Sequence, residues 1–268
     1  MSRVAVLGVG GRMGSTVCRA VDAEADLELV AAVNPRLAGS DLDQAAGLPG
    51  TTIRVAPDLE ALTAGGADVA VDFTTPSAAM GNLRWCAANG VHAVVGTTGL
   101  SAHLEELRSL FEGGRVNCIL APNFAVGAVL MMRLAEMAAP YVDSAEIVEL
   151  HHDAKADAPS GTALLAAERI ARAREGSAAG PLSADPTRIQ PIAGTRGGEG
   201  PGGVRIHSLR LHGLVAHHEV VLSTTGQSLT IRHDSYDRTS FMPGVLLAIR
   251  KVATTPGLTV GLEPLLWP

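Results

Sequence analysis

VAVLGVGGRMGSTVCRAV, residues 4–21, decides the fold. An apolar run at 4–7 meets Gly8, Gly10, Gly11 and Gly14, and a helical pattern then carries on to Asp22. Glycine allows a tight strand-to-helix turn and lets backbone N–H groups approach a pyrophosphate at the helix N-terminus. The spacing departs from the common G-x-G-x-x-G, because Met13 fills the last glycine position and Gly14 comes one later. Its place after a first strand and before a first helix makes a dinucleotide-binding turn the expectation.

Outward from that turn, short apolar runs alternate with helical spacing as far as residue 122. Strands are expected at 4–7, 27–33, 68–73, 92–95 and 116–120, with helices at 11–22, 77–89 and 101–111. Pro76 at a first turn and Ser101 as an N-cap mark helix starts. Alternation of this length implies right-handed βαβ units and a parallel sheet. Beyond Asn123 the pattern changes to an apolar helix at 125–139, a strand at 145–150, a helix at 162–174 and a Gly/Pro/Ser-rich loop at 175–203. A strand at 204–211 follows, then a hairpin in which Val220, Leu222, Leu229 and Ile231 alternate around Thr225-Gly226-Gln227. A hairpin means a mixed or antiparallel sheet, hence a second domain, and the helix at 239–252 is expected to return to the first. The expected fold is α/β: a Rossmann-type parallel-sheet domain (1–122 and 235–268) and a smaller α+β domain with a mixed sheet (123–234).

Composition narrows the class. Of the 268 residues 47% are hydrophobic but only 3% aromatic, so Ala, Val, Leu and Ile must build the core. A net charge of −6 argues against a nucleic-acid partner. No apolar stretch is long enough to span a bilayer, and the N-terminus runs directly into a strand, so a cytoplasmic protein is expected. Cys18, Cys86 and Cys118 lie in apolar segments and read as reduced, buried thiols. Only two of 21 basic residues are lysines, Lys155 and Lys251.

Where NAD-binding folds place an acid after the second strand, this chain has Asn34, Pro35 and Arg36. Asn34 can hydrogen-bond a ribose hydroxyl without repelling a 2′-phosphate, and Arg36 could pair with one. Asp72-Phe73-Thr74, Gly96-Thr97-Thr98 and Ala121-Pro122-Asn123-Phe124 each follow a strand, where ligands of open parallel sheets bind.

The second chemical segment is ELHHDAKADAPSGTAL, residues 149–164. His151 and His152 fall on opposite faces of a continuing strand, so both serve one ligand only if the chain leaves the sheet there. Pro159 then stiffens the approach to a helix starting at Ser160-Gly161-Thr162, whose N-terminus favours an anion. An imidazole pair, an ammonium and a helix N-terminus within a dozen residues favour a carboxylate. Adjacent histidines lack metal-ligand spacing, and no metal is expected. A solvated loop explains each residue singly but not their clustering.

E-L-H-H-x-x-K-x-D-A-P-S-G-T resembles the signature of the dihydrodipicolinate reductase family of bacterial lysine and diaminopimelate biosynthesis. G-x-x-G-R-M-G at 8–14, D-F-T at 72–74, V-G-T-T-G at 95–99, A-P-N-F at 121–124 and the segment from Arg238 to Phe241 are similar to that family too. The resemblance implies NADH or NADPH as cofactor and a small cyclic imine with two carboxylates as substrate. It puts catalysis on His151, as proton donor, and on Lys155, with His152, Ser160, Gly161 and Thr162 at the substrate. It puts the cofactor against Gly8, Val9, Gly10, Gly11, Arg12 and Met13, against Asn34 and Arg36, and against Phe73, Thr74, Gly96, Thr97 and Thr98. Ala121, Pro122, Asn123, Phe124 and Arg238 complete that set. It also implies a homotetramer built on the second domain. Another two-domain amino-acid or semialdehyde dehydrogenase, or a nucleotide sensor without catalysis, remains the alternative.

Overall fold

The computed structural model describes residues 1–175 and 177–267. Gly176, in the expected loop, and Pro268, at the end of the expected first domain, lie outside the described residues.

The N-terminal half alternates as its sequence pattern demands. The order is β1 (Ser2–Leu7), α1 (Arg12–Asp22), β2 (Leu27–Val33), α2 (Leu42–Ala46), α3 (Glu60–Ala64), β3 (Val69–Asp72), α4 (Pro76–Asn89), β4 (His92–Val95), α5 (Leu104–Phe111) and β5 (Cys118–Leu120). The chain continues through α6 (Val126–Ala138), β6 (Ser144–His151), α7 (Gly161–Glu175), β7 (Gly198–Glu199), β8 (Arg205–Arg210), β9 (Ala216–Thr224) and β10 (Gln227–Ser235). It ends with α8 (Met242–Val252), β11 (Leu258–Val260) and α9 (Glu263–Leu266).

The chain divides into two compact units, Met1–Phe124 with Arg238–Pro268, and Ala125–Asp237. These divisions lie two or three residues beyond the boundaries read from sequence.

In the first unit six strands pair in parallel in the order β11-β5-β4-β3-β1-β2. Ala5, Leu7, Ala70, Ala93 and Val95 bury one sheet face against Leu62 of α3, Met80 and Leu83 of α4, and Leu107 and Phe111 of α5. Val4, Val6, Val71, Val94 and Ile119 are buried on the opposite face, where α1 and α8 pack. Burial on both faces explains the continuous aliphatic runs and the dispensability of aromatics. Strand order reverses between β1 and β3, and such a switch point opens a crevice at the strands' carboxyl ends. β11, a three-residue edge strand beside β5, is absent from the sequence reading because so short a run carries no periodicity.

The second unit holds a mixed five-stranded sheet, β10-β9-β6-β8-β7, with β6 parallel to β8 and antiparallel to β9. β9 and β10 form the expected hairpin, closed by Thr225 and Gly226 with Gln227 already paired to Thr224. Strict alternation along β6 buries Ala145, Ile147, Glu149 and His151 on one face. Of the expected loop at 175–203, Glu175 still belongs to α7, and residues 177–203 are irregular except for β7 and a short turn at Pro201–Gly203. Its start is clasped by buried Arg174, whose guanidinium donates to the carbonyls of Ala139, Val142, Ala179, Gly180 and Pro181.

Candidate active site

Sheet register aligns the loops of the first unit. Leu7, Asp72, Val95 and Leu120 sit opposite one another across β1, β3, β4 and β5, so the loops after them leave the same edge. Gly8 has φ +90°, and a Cβ at Gly14 would lie 2.3 Å from the Gly8 carbonyl oxygen. Helix α1 therefore presses its first turn directly onto the turn that precedes it. Gly11, its N-cap, has no side chain to satisfy the leading N–H groups, so that end of the helix suits an anion.

Two adjoining clefts open at this edge. One, about 640 Å³, is lined by Gly8, Gly11, Asn34, Arg36, Phe73 and Thr74. The other, about 310 Å³, is lined by Gly11, Arg12, Met13, Phe73, Thr74, Gly96, Thr97, Thr98 and Arg238. Val9, Ala121 and Phe124 are buried and line neither; Phe124 instead packs its ring 5.8 Å from that of Phe73. Gly10, Pro122 and Asn123 line neither cleft either. Asn34 uses its amide locally, donating to the Val9 carbonyl at 2.6 Å and accepting from the Arg36 N–H at 3.0 Å. Arg12, Arg36 and Arg238 are exposed and form no ion pair among the described residues. A glycine cradle, an uncapped helix and three uncommitted guanidinium groups fit a dinucleotide phosphate chain.

The work of Asp72 leaves no mark in the sequence pattern. Buried at the end of β3, its carboxylate accepts from the Thr74 N–H, the Thr74 and Thr97 hydroxyls and the Asn82 amide, at 2.7–2.9 Å. It thus holds together the loops that follow β3 and β4.

In the second unit β6 runs one residue further than expected, through His151, so the two histidines separate. His151 is buried, whereas His152 is exposed beyond the strand. The His151 Nδ1–H donates to Glu149 Oε2, and Nε2 has no partner among the described residues. Glu149 is fully buried, and Arg210 holds both its oxygens, at 3.0 and 2.8 Å. Burial pushes the Glu149 carboxyl upward, but hydrogen bonds from Arg210, Ser208 and His151 outweigh it and leave the group below its ordinary value. Burial dominates for His151 and lowers it despite the carboxylate, with Lys155 and Arg210 adding to the effect.

Ser160 caps α7 by accepting from the Ala163 N–H at 3.2 Å, and its hydroxyl bonds His218 Nε2 at 3.0 Å. His218 stands edge-on to His151 with ring centroids 5.3 Å apart. Lys155 points its ammonium at Asp157, 2.7 and 2.8 Å from the two oxygens. Gly161 is exposed, and a Cβ there would meet nothing within 4 Å, so the space over the first turn of α7 is open; Thr162 follows, half-buried. Glu149, His151 and His218 do bring three metal-capable atoms within 4.8 Å, a grouping the spacing did not suggest. The Arg210 fork on both Glu149 oxygens and the Ser160 bond to His218 already engage that donor set, which disfavours an ion.

A glycine turn at the switch point of a parallel sheet, and a second unit presenting imidazole, ammonium and a helix N-terminus, define a two-domain oxidoreductase of the Rossmann type. Family patterns described as Dihydrodipicolinate reductase, N-terminus and C-terminus, match residues 2–124 and 127–266. The chain belongs to the dihydrodipicolinate reductase family. It is 50% identical over 266 residues to the 4-hydroxy-tetrahydrodipicolinate reductase of Mycobacterium ulcerans, covering 98% of each chain. It is 49% identical over 266 residues to that of Nocardia farcinica, again covering 98% of each. Among solved structures it resembles a dipicolinate-bound dihydrodipicolinate reductase from Paenisporosarcina sp. TG-14. The two share a TM-score of 0.86 and 40% identity over 98% of this chain and 99% of that one. An amine dehydrogenase from Mycobacterium smegmatis shares the fold alone, with a TM-score of 0.62 at 17% identity over 96% and 94% of the two chains.

Proposed function

We propose that this chain reduces 4-hydroxy-tetrahydrodipicolinate, by way of dihydrodipicolinate, to tetrahydrodipicolinate in lysine and diaminopimelate biosynthesis. The observation that carries the reading is the gathering of His151, Lys155 and the α7 N-terminus at one end of β6, in a chain half identical to relatives bearing that enzyme name. NADH or NADPH, when bound, supplies the hydride. The glycine turn, the uncapped end of α1 and Arg12 would hold its phosphates, and Thr74, Thr97 and Thr98 would orient it.

The remaining steps fall to the second unit. Lys155 exchanges Asp157 for a substrate carboxylate and offsets charge at the ring nitrogen. Ser160, Gly161 and Thr162 receive a carboxylate at the helix terminus, and His152 borders the site from its exposed side. His151 donates a proton from Nε2 to the enamine carbon left by reduction. Two substrate carboxylates beside the ring would favour imidazolium and so oppose the lowering that burial imposes.

Arg36, exposed and unpaired beside Asn34, supports use of NADPH at least as readily as NADH. A homotetramer would form on the sheet face carrying half-buried Val148, Leu150 and Val221, opposite Ile147 and Glu149, and the enzyme would work in the cytoplasm. The test is a coupled assay: the condensation product of pyruvate and aspartate semialdehyde is supplied, and nicotinamide absorbance is followed with each cofactor. Absorbance should fall with both. A flat trace would reject the activity, and strong preference for NADH would reject the role of Arg36.

A further inference from the structure

We propose that Glu149 is a positioning residue for the reaction: it fixes the tautomer and orientation of His151 and, through Arg210, ties down the loop that carries Lys155. The inference rests on the reading of His151 as proton donor and adds what makes that donor competent.

Glu149 lies two residues before His151 on the same strand, so both side chains leave the same face. An acid at that position, fully buried between Ile147 and His151, is unfavourable unless its charge is compensated. Besides a hydrogen bond from Ser208, the contacts that offset the cost reach into the proposed site. His151 Nδ1–H donates to Oε2, which places the ring proton on Nδ1 and leaves Nε2 as the nitrogen that can deliver a proton. The Ser160 backbone N–H, at the N-cap of α7, donates to Oε1 at 3.3 Å. Arg210 grips both oxygens, and its Nη2 also donates to the Asp157 carbonyl at 2.6 Å. Asp157 is the residue that holds Lys155. One carboxylate thus links the imidazole, the helix terminus and the ammonium loop, drawn from β6, α7 and β8.

The charged and titratable groups facing the His151 ring are Glu149 on its own strand, Lys155 on the exit loop, Arg210 on β8 and His218 on β9. Of these only Glu149 favours the imidazolium; the cations oppose it. The carboxylate therefore raises the pH at which the buried ring can hold its proton, which a purely structural brace would not do.

Glu149→Gln keeps the shape and removes the charge. In steady-state assays with the condensation product and NADPH, kcat should fall about 100-fold, as for loss of an oriented proton donor, while KM stays within about threefold. The limb of the kcat/KM profile that falls as pH rises should move about one unit toward acid, because the neighbour favouring imidazolium is gone. An NMR titration of the His151 ring should move with it. A brace without an electrostatic role would lower kcat and raise KM but leave limb and ring titration in place, and that outcome overturns the proposal. Should Glu149→Gln not fold, Glu149→Asp carries the test: its carboxylate is withdrawn by one methylene, so the limb must still shift toward acid, and an unmoved limb overturns the proposal equally. His151→Gln, run alongside, separates the two readings. Full turnover in that variant removes His151 from the mechanism and overturns both, whereas a crippled His151→Gln beside an unaltered Glu149→Gln overturns only the role of Glu149.

Discussion

A lysine stands at 155 in a chain that otherwise writes its positive charges almost entirely as arginine. An ammonium is a compact charge on a flexible stem, able to leave one carboxylate for another without the planar fork that fixes a guanidinium. Its present partner, Asp157, is exposed, so a substrate carboxylate can take its place at little cost. Lys155→Ala should lower kcat about 100-fold and raise KM about tenfold if, as proposed, the ammonium both binds substrate and stabilises developing charge. Lys251→Ala, on the exposed side of α8, should leave both parameters within about twofold of the parent. Similar losses from the two variants would show that position 155 carries only a generic charge. His151, Lys155 and Ser160 were legible in the sequence because they lie in one segment. Arg210 and His218 were not, because β8 and β9 bring them in from some sixty residues away. Glu149 did leave a signal: in Ala145, Ile147, Glu149, His151 the buried parity of a strand holds an acid, and a buried acid demands a partner.

Among elements, the β1–α1 turn is legible as a glycine turn between strand and helix despite its irregular spacing, because its meaning lies in backbone geometry. Gly14 is the position to test. An added methyl would lie 2.3 Å from the Gly8 oxygen, against backbone that has no rotamer to change. Gly14→Ala must lift α1 off the turn, costing about 1–3 kcal/mol as an overpacked contact. Nucleotide affinity should drop at least about tenfold, since the helix N-terminus would no longer meet the phosphate at the same place. Fluorescence titration with NADPH, set beside a thermal melt, reads both effects; parent-like affinity would place the phosphates elsewhere. The elements that left no pattern in the sequence are β7, β11, α2, α3 and α9, of two to five residues each. Below one or two turns neither the 3.6 nor the 2.0 period can declare itself, and tertiary contacts decide. Asp72 shows the same limit, since its donors arrive from the ends of β3 and β4 and from α4.

At the scale of the whole molecule, the parallel first sheet and the mixed second sheet both followed from how strands are connected, by helices first and then by a hairpin. Neither fold class nor motif revealed that the second unit buries histidines beside one another. His218 is almost inaccessible, and burial, aided by the neighbouring His151, brings its pKa down to about 4. Burial likewise lowers His92, His151 and His233. A histidine depressed in the fold takes up its proton more readily when unfolded, so between its folded value and about 6.5 the unfolded chain binds more protons. Stability must then rise with pH across that window and fall as pH drops through it. The carboxylates with lowered values, such as Glu146, act only below about pH 4.5 and do not mask the trend. From the value of about 4 for His218, moving from pH 7.5 to pH 5 should cost roughly 2 kcal/mol through this residue alone. Melting curves of the full chain should show the loss in that interval. His218→Gln, which keeps a polar contact for Ser160 but cannot be protonated, should flatten the curve between pH 5 and 7 whatever its effect on stability at neutral pH. A variant that loses stability on acidification as steeply as its parent would place the buried proton-binding group at another histidine.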